Sequence, residues 1–288
     1  MKYAITLASF RKIEPIEDTL ATLAKQDYHA TEMFGEPDEV DAKKLLDSLN
    51  SFGLSVCGVT GMWGSISTDG WKRRLLSSDP KLVQASEQYV IDCLKLCNIL
   101  GGHEMNVCLF ADEIKGVDKT HREISANEKA IFAAKAVPLM TLLCKKAADY
   151  GIQLVLEPLN RYSTPYCATA KDAIAIAQQV DSLGILLDTF HMNIEEDLFK
   201  DAIQSSSMLL RHMHFADNNR KMPGFAHIDF STVIKSLNEI GYDGYISFEP
   251  NIADRNYEHA IKYGLDFVKR IENSETNNIK IAHSSRPG

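Results

Sequence analysis

The chain has 288 residues, of which 45% are hydrophobic and 24% charged, and its net charge is −8. That balance is ordinary for a globular protein and argues against a nucleic-acid binder, which carries a basic face. No run approaches the roughly 20 apolar residues of a membrane span, and the N-terminus MKYAITLASFRK lacks the long apolar region and cleavage site of a signal peptide; the expectation is a cytoplasmic protein that begins in a strand.

Taken in chain order, short apolar or β-branched runs alternate with amphipathic ones. YAITLA (3–8), TEMF (31–34), LSVCGVT (54–60), EMNVCLF (104–110), IQLVLE (152–157), GILLDT (184–189), LRHMHFA (210–216) and YISFE (245–249) read as strands. Between them, 16–26, 41–53, 82–101, 128–151, 170–180, 195–204, 230–241 and 257–272 repeat apolar residues at helical spacing, as in Ile234, Leu237 and Ile240. Gly53, Gly101, Gly151 and Gly241 stand where helices should stop. Pro138 should kink the fourth helix or break it. The six cysteines form no C-x-x-C pair and read as small buried hydrophobes, not as a metal site.

Eight strands in alternation with eight helices indicate βαβ units and a parallel sheet, and this number closes a (β/α)8 TIM barrel. An open doubly wound sheet would carry a glycine-rich phosphate loop after an early strand, and none is present. No linker or composition shift divides the chain. The expectation is one domain over 1–272, followed by a polar appendage, 273–288, that packs on a surface or frays.

In such barrels the chemistry sits at the C-terminal strand ends. The fifth strand ends in Glu157 before Pro158, the sixth in Asp188, the seventh near His214, and the eighth in Glu249 before Pro250. A single glutamate at a strand end is ordinarily a solvated rim residue. Four consecutive strands delivering Glu, Asp, His and Glu to one rim are another matter, because gathered carboxylates repel one another. A divalent cation answers that repulsion. Three oxygens and one imidazole suit Mn²⁺, Mg²⁺ or Co²⁺, and would leave positions open for a carbonyl and a hydroxyl of a substrate.

EPLNRY (157–162), LDTFHMN (187–193), HMHFADNNRKMPGFAHIDF (212–230) and GYDGYISFEP (241–250) together resemble the xylose-isomerase-like barrels of sugar (phosphate) isomerases and epimerases. The likeness is strongest to the ketose 3-epimerases (D-tagatose or D-allulose type), and spans about residues 2–272. It implies that Glu157, Asp188, His214 and Glu249 bind one metal, with Mn²⁺ the leading candidate, and that Glu157 and Glu249 are the acid–base pair. It also implies that His191 and Arg220 hold substrate oxygens. Such chemistry removes a proton beside a carbonyl; the enediolate oxygen then needs the metal and a cationic donor, and two opposed carboxylates can invert the centre.

One position departs from the pattern. Ser163 stands where these epimerases usually carry a glutamate that contacts the sugar's terminal hydroxyl, so the substrate could be an inosose, a keto-acid or another polyol ketone. An inosose dehydratase-like lyase, or a hydroxypyruvate or sugar-phosphate isomerase on the same scaffold, stays open beside the epimerase reading. A non-catalytic sugar-binding barrel is disfavoured by the intact acid–base pair.

The remaining candidates are few. Trp63 and Trp71 form either an aromatic lid over the substrate or plain loop packing. Lys72, Arg73 and Arg74 read as a solvated helix start, with a phosphate clamp as the sharper alternative. Asp229 reads as a helix cap and His103 as structural; the extra zinc sites of the DNA-repair branch would need histidines at early strand ends, which are missing. A small sugar or polyol ketone is the expected partner, with no nucleic acid and no membrane, in a homodimer or homotetramer.

Overall fold

Eight strands pair in sequence order, all parallel, and β1 returns to β8 to close the barrel in this computed structural model, which describes residues 1–112 and 124–284. The strands are β1 (Lys2–Thr6), β2 (Ala30–Gly35), β3 (Ser55–Gly61), β4 (Glu104–Val107), β5 (Gln153–Leu156), β6 (Gly184–Asp188), β7 (Leu210–Phe215) and β8 (Tyr245–Phe248). The helices are α1 (Ile16–Ala24), α2 (Ala42–Ser51), α3 (Pro80–Ile99), α4 (Ala126–Ala148), α5 (Ala170–Ala177), α6 (Thr189–Glu195), α7 (Phe199–Ser205), α8 (Phe230–Glu239) and α9 (Glu258–Ser284). The expected barrel is therefore present, with one extra helix among the described residues: α6 follows β6 directly, and the sixth expected helix is α7.

The large apolar core lies between barrel and helices, where Ile5, Met33, Val59, Met105, Leu154, Ile185, Met213 and Ile246 meet the buried faces of the helical ring. Side chains alternate along a strand, so the neighbouring positions point into the barrel. There a small separate cluster, Ala4, Ala30 and Cys57 against Tyr245, fills one level. The next levels are polar: Glu32, His212 and Ser247, then Glu157, Asp188, His214 and Glu249, all buried except the partly buried Glu249. Barrel interiors are ordinarily filled by branched apolar residues, and this one gives that space to charge.

The four predicted helix-stopping glycines all adopt positive φ, between 67° and 74°. Pro138 does not break α4. Pro138 and Ala134 both lie on the exposed face, so the carbonyl that loses its intrahelical donor faces water. The boundary expected at 272 falls inside α9, which no glycine or proline interrupts between 273 and 284. Glu272 accepts from the Met1 amine at 2.9 Å and from the Tyr3 hydroxyl at 2.5 Å, tying the start of β1 to the last helix. All six cysteines are buried and unpaired, as expected. Among the described residues, no helix is long and apolar enough to cross a membrane.

Phe248, fully buried, lies 6.1 Å from Tyr3, 6.2 Å from Tyr28 and 6.5 Å from Phe215, ring centre to ring centre, and directly precedes Glu249. Phe248→Ala should cost about 3–5 kcal/mol, read as a lowered midpoint in urea unfolding; an unchanged midpoint would show that the wall beneath Glu249 does not depend on this ring.

Candidate active site

The four strand-end residues converge as expected. One ligand atom from each of Glu157, Asp188, His214 and Glu249 lies within 4.8 Å of every other, a cluster able to hold a metal ion. His214 Nδ1 stands 3.8 Å from Glu157 Oε1 and 3.2 Å from Glu249 Oε2, yet it is buried and makes no hydrogen bond of acceptable geometry. The other ring nitrogen, Nε2, is occupied by Glu32 Oε2 at 2.9 Å. With Nε2–H donated to Glu32, Nδ1 turns a lone pair toward three carboxylates. That arrangement is repulsive unless a cation or a proton lies between them, so the donor set fits a divalent ion.

Arg220 bridges two of the acids, donating to Asp188 Oδ2 and Glu249 Oε2. It sits at φ 56°, a costly conformation for a non-glycine residue. Its amide donates to Asp217 O at 2.8 Å, its carbonyl accepts from Asn251 at 2.6 Å, and its guanidinium lies 4.7 Å from the centre of the Phe190 ring. Asp217 organises this loop: its buried carboxylate accepts from the amides of Asn218, Gly224, Ala226 and Ile228.

Asp188 has a second role. Its Oδ1 caps α6 by accepting from Phe190 N at 2.8 Å, which sets His191, three residues on, with Nε2 3.8 Å from Asp188 Oδ2. Burial is the largest influence on His191 and lowers its pKa to about 4, so the ring is neutral near pH 7. Asn160 Nδ2 lies 2.8 Å from His191 Nδ1; an amide donating there leaves His191 Nε2–H facing the site. Asn160 is held in turn by its neighbour Arg161, whose guanidinium pairs with Glu195 at the end of α6.

The two glutamates are driven apart in acidity. Burial, helped by the charges of Glu249 and Asp188, raises Glu157 to about 8. Burial also works against ionisation of Glu249, but Arg220 and His214 overcome it and hold that carboxylate below its ordinary range. Burial opposes charge on His214, and Glu32 and Glu249 overcome it, raising the ring well above the usual histidine range.

A cavity of about 480 Å³ opens over this site, lined by Trp63, Ser163, His191, Arg220 and Glu249, among others. Glu157, Asp188 and His214 are not in its wall and sit behind Arg220 and Glu249. A larger groove, about 800 Å³, runs beside α4 as far as Asp112, next to residues outside the described set; it contains none of the expected site residues.

Trp63 is a buried wall of the cavity, edge-on to Tyr89 with ring centres 5.4 Å apart. A Cβ at Gly61 would fall 2.1 Å from its Nε1, so only glycine fits at the end of β3. Trp71, 45% exposed, also lines the cavity. The expected solvated basic run holds at Lys72 and is corrected at Arg73. Arg73 is buried, stacked 3.8 Å from the Tyr89 ring centre and paired with Glu36 at 2.5 Å. Arg74 donates to Trp71 O and Ala111 O, and Lys72 to Asp69. The segment is a short 3-10 turn, α3 begins only at Pro80, and none of the three cations lines the cavity; Arg73 braces Tyr89, Arg74 ties Trp71 to Ala111, and Lys72 is exposed. Asp229 caps α8 as expected, and His103 is exposed at the opposite end of the barrel.

A closed parallel barrel with its polar residues gathered at the carboxyl ends of consecutive strands defines the class of protein: a TIM-barrel enzyme. The sequence pattern of the xylose isomerase-like TIM barrel matches residues 20–271. The chain is 31% identical over 216 residues to a ketose 3-epimerase of Arthrobacter globiformis, covering 74% of this chain and 70% of that one. It is 33% identical over 132 residues to a 3-dehydro-D-guloside 4-epimerase of Escherichia coli, covering 45% of this chain and half of that one. A solved L-ribulose 3-epimerase has the same fold, with a TM-score of 0.83, 22% identity and full coverage of both chains. The chain belongs to the xylose isomerase-like TIM-barrel family, and it is an enzyme of the isomerase class.

The raised groups set a pH dependence. A carboxyl raised by burial, like Glu157, favours the fold below the unfolded carboxyl range and loses that contribution as pH rises through about 8. His212 is raised to about 9, because Glu32 and Glu104 outweigh its burial, and acts in the same direction. The lowered Glu32 and Glu249 act oppositely, their contribution lost only as pH falls below the usual carboxyl range. Buried neutral His191 adds stability as pH rises to the usual histidine range and offsets Glu157 there, so in EDTA the thermal midpoint should fall as pH rises from about 6.5 to about 9, and Glu157→Gln should flatten the part below 8. A wild-type midpoint that climbs across this window would contradict the assignment.

Proposed function

We propose that the protein is a divalent-metal-dependent sugar epimerase of the ketose 3-epimerase type, working by proton transfer next to a carbonyl through a cis-enediolate. The observation that carries this reading is His214 Nδ1, buried and without a hydrogen bond among three carboxylates. Glu157, Asp188, His214 and Glu249 would hold one ion, most simply Mn²⁺, with Mg²⁺ or Co²⁺ able to serve. When bound, it supplies Lewis-acid polarisation of a carbonyl.

The protein's own groups do the rest. Glu249, held ionised beside Arg220, takes the proton from the carbon next to the carbonyl. Glu157, the more basic carboxyl, returns a proton from the other face, and the reverse reaction exchanges their roles. Arg220 and the Nε2–H of neutral His191 present donors to the oxygens where negative charge develops. Trp63 closes the cavity wall and keeps water from that side. The epimerases among its relatives support this reading, as they support a small sugar as substrate. Location in the cytoplasm, a homodimer or homotetramer, and a barrel proper over 1–272 with 273–288 as its appendage are part of the same proposal.

Ser163 favours a second substrate reading. It lines the cavity, the resemblance implies a glutamate on a terminal hydroxyl at this position, and the match to a 4-epimerase of a dehydro-guloside widens the field to keto-sugars with a substituted end. An inosose dehydratase or a hydroxypyruvate or sugar-phosphate isomerase would use the same groups. Analysis of products by NMR in D₂O separates them: epimerisation exchanges a carbon-bound proton and keeps the formula, whereas dehydration loses water.

Asp188→Asn, which keeps an oxygen to cap α6, should lose tight metal binding while folding normally. Glu157→Gln and Glu249→Gln should each reduce turnover at saturating Mn²⁺ by at least about 100-fold. Near wild-type turnover from either would sink the two-carboxylate mechanism.

Ser163→Glu should raise kcat/KM on free ketohexoses by about tenfold relative to substrates with a bulkier end, or about 1.4 kcal/mol. A wild type that already prefers ketohexoses, with no gain in the variant, removes Ser163 as a specificity determinant.

A further inference from the structure

Beneath the four strand-end residues, a second set of buried polar groups runs down the barrel axis. Glu32 on β2, only 2% exposed, takes His214 Nε2 at 2.9 Å. His212 on β7, two residues before His214 and on the same side of the strand, places Nε2 3.7 Å from Glu32 Oε2 and 3.0 Å from Ser247 Oγ. Its Nδ1 lies 2.8 Å from Glu104 Oε2. The Glu104 side chain is 20% exposed and lines a separate hollow at the amino-terminal end of the barrel, with Arg211, Tyr242 and Asp243.

We infer that Glu32, steadied by His212, Ser247 and Glu104, is a positioning residue that orients the His214 ring so that Nδ1 faces the three carboxylates. The argument rests on geometry. An imidazole can turn about its Cβ–Cγ bond, and a ring turned half-way round would offer carbon, not nitrogen, to the site. A carboxylate accepting Nε2–H fixes one orientation and one tautomer, and such outer partners of a metal-binding histidine typically change metal affinity by 10- to 100-fold when removed. Glu32 could itself slide past His214, so it needs a second anchor. His212 provides it at ion-pair range, with Nε2 3.7 Å from Glu32 Oε2, in a ring that Glu104 and Ser247 hold in place.

The same contacts argue against the competing reading. Glu32, His212 and His214 lie close enough to hold an ion of their own. However, His212 has no free nitrogen for it, and His214 Nε2 already meets Glu32 at an ordinary hydrogen-bond distance. The group is a hydrogen-bonded support, and the protein should bind one ion per chain, not two.

This inference rests on the metal reading above, and its test separates the two. Mn²⁺ affinity is measured by the EPR signal of the free ion for the wild type, Glu32→Ala and the near-isosteric Glu32→Gln. Ring ¹⁵N–¹H spectra of each protein, without metal, report whether His214 Nε2–H is hydrogen-bonded and slow to exchange. The expected result is one ion per chain in the wild type, 10- to 100-fold weaker binding in Glu32→Ala, a smaller loss in Glu32→Gln, and loss of the protected Nε2–H signal in Glu32→Ala. Turnover should recover in both variants at saturating Mn²⁺, which a general loss of structure would not allow. Should Glu32→Ala fail to fold, Glu32→Gln alone decides: unchanged affinity and an unchanged ring signal overturn the inference. Two ions per chain in the wild type also overturn it, because Glu32 would then be a ligand. A wild type that binds no divalent ion defeats the metal reading, while the ring signal still decides whether Glu32 holds His214.

Discussion

Everything at the carboxyl end of this barrel follows from gathering charge where little water can reach it. Glu157, Asp188 and Glu249 place carboxylate oxygens within 4.8 Å of one another and of an imidazole. In a low-dielectric interior an uncompensated charge costs several kcal/mol, and removing one partner of a buried pair is more damaging than never having built the pair. The surrounding structure therefore supplies compensation at each acid. Arg220 spans Asp188 and Glu249, Asn106 donates to Glu157 at 2.5 Å, and His214 stands between Glu157 and Glu249. The strained φ of Arg220 makes sense in this light: two carboxylates and the backbone contacts to Asp217 and Asn251 hold it there.

The fold makes that gathering inexpensive in chain entropy. Parallel strands bring residues 157, 188, 214 and 249 together through barrel closure, which the apolar layer between strands and helices already drives. No flexible loop has to be ordered to place the acids, because Asp188 ends its strand and the other three stand on or beside strand ends. Loops add the adjustable parts: His191 through α6, Arg220 through the turn organised by Asp217, and Ser163 at the cavity mouth. On the proposed reading, chemistry sits on the rigid element and selectivity on the variable one.

Much of this was legible in the sequence because it is periodic. Strand–helix alternation gives the barrel, and strand ends give Glu157, Asp188, His214 and Glu249. What escaped has a common physical cause. The Glu32–His214 and Glu104–His212 contacts join residues 182 and 108 apart, and within TEMF or LRHMHF a charged residue reads as an interruption of a strand, not as half of a pair. Period two was available as a signal, since His212 must share a face with His214. The seven-residue α6 escapes because TFHMNIE is too short to show helical spacing, and its cap, Asp188, reads in the sequence only as a strand end. Arg73 looked solvated because its neighbours are basic, whereas Glu36, at the end of β2, decides its fate.

Charge accounting along the axis links the two sets of buried groups. Glu32, Asp188 and Glu249 face His212, His214 and Arg220, the partly exposed Glu104 also meets His212, and burial makes Glu157 the acid that most readily keeps a proton. On the proposed reading, a divalent ion takes the place of two protons, the one on Glu157 and the one on His214 Nδ1. The exchange leaves the net charge of the buried site unchanged. A barrel interior that could tolerate neither an extra charge nor a missing one can accommodate both forms, and the ion's affinity must weaken with acidification because protons compete for the same two atoms. The column below is what permits this exchange without rearrangement: with Nε2 engaged by Glu32, the His214 ring presents the same nitrogen, in the same place, to a proton or to a metal.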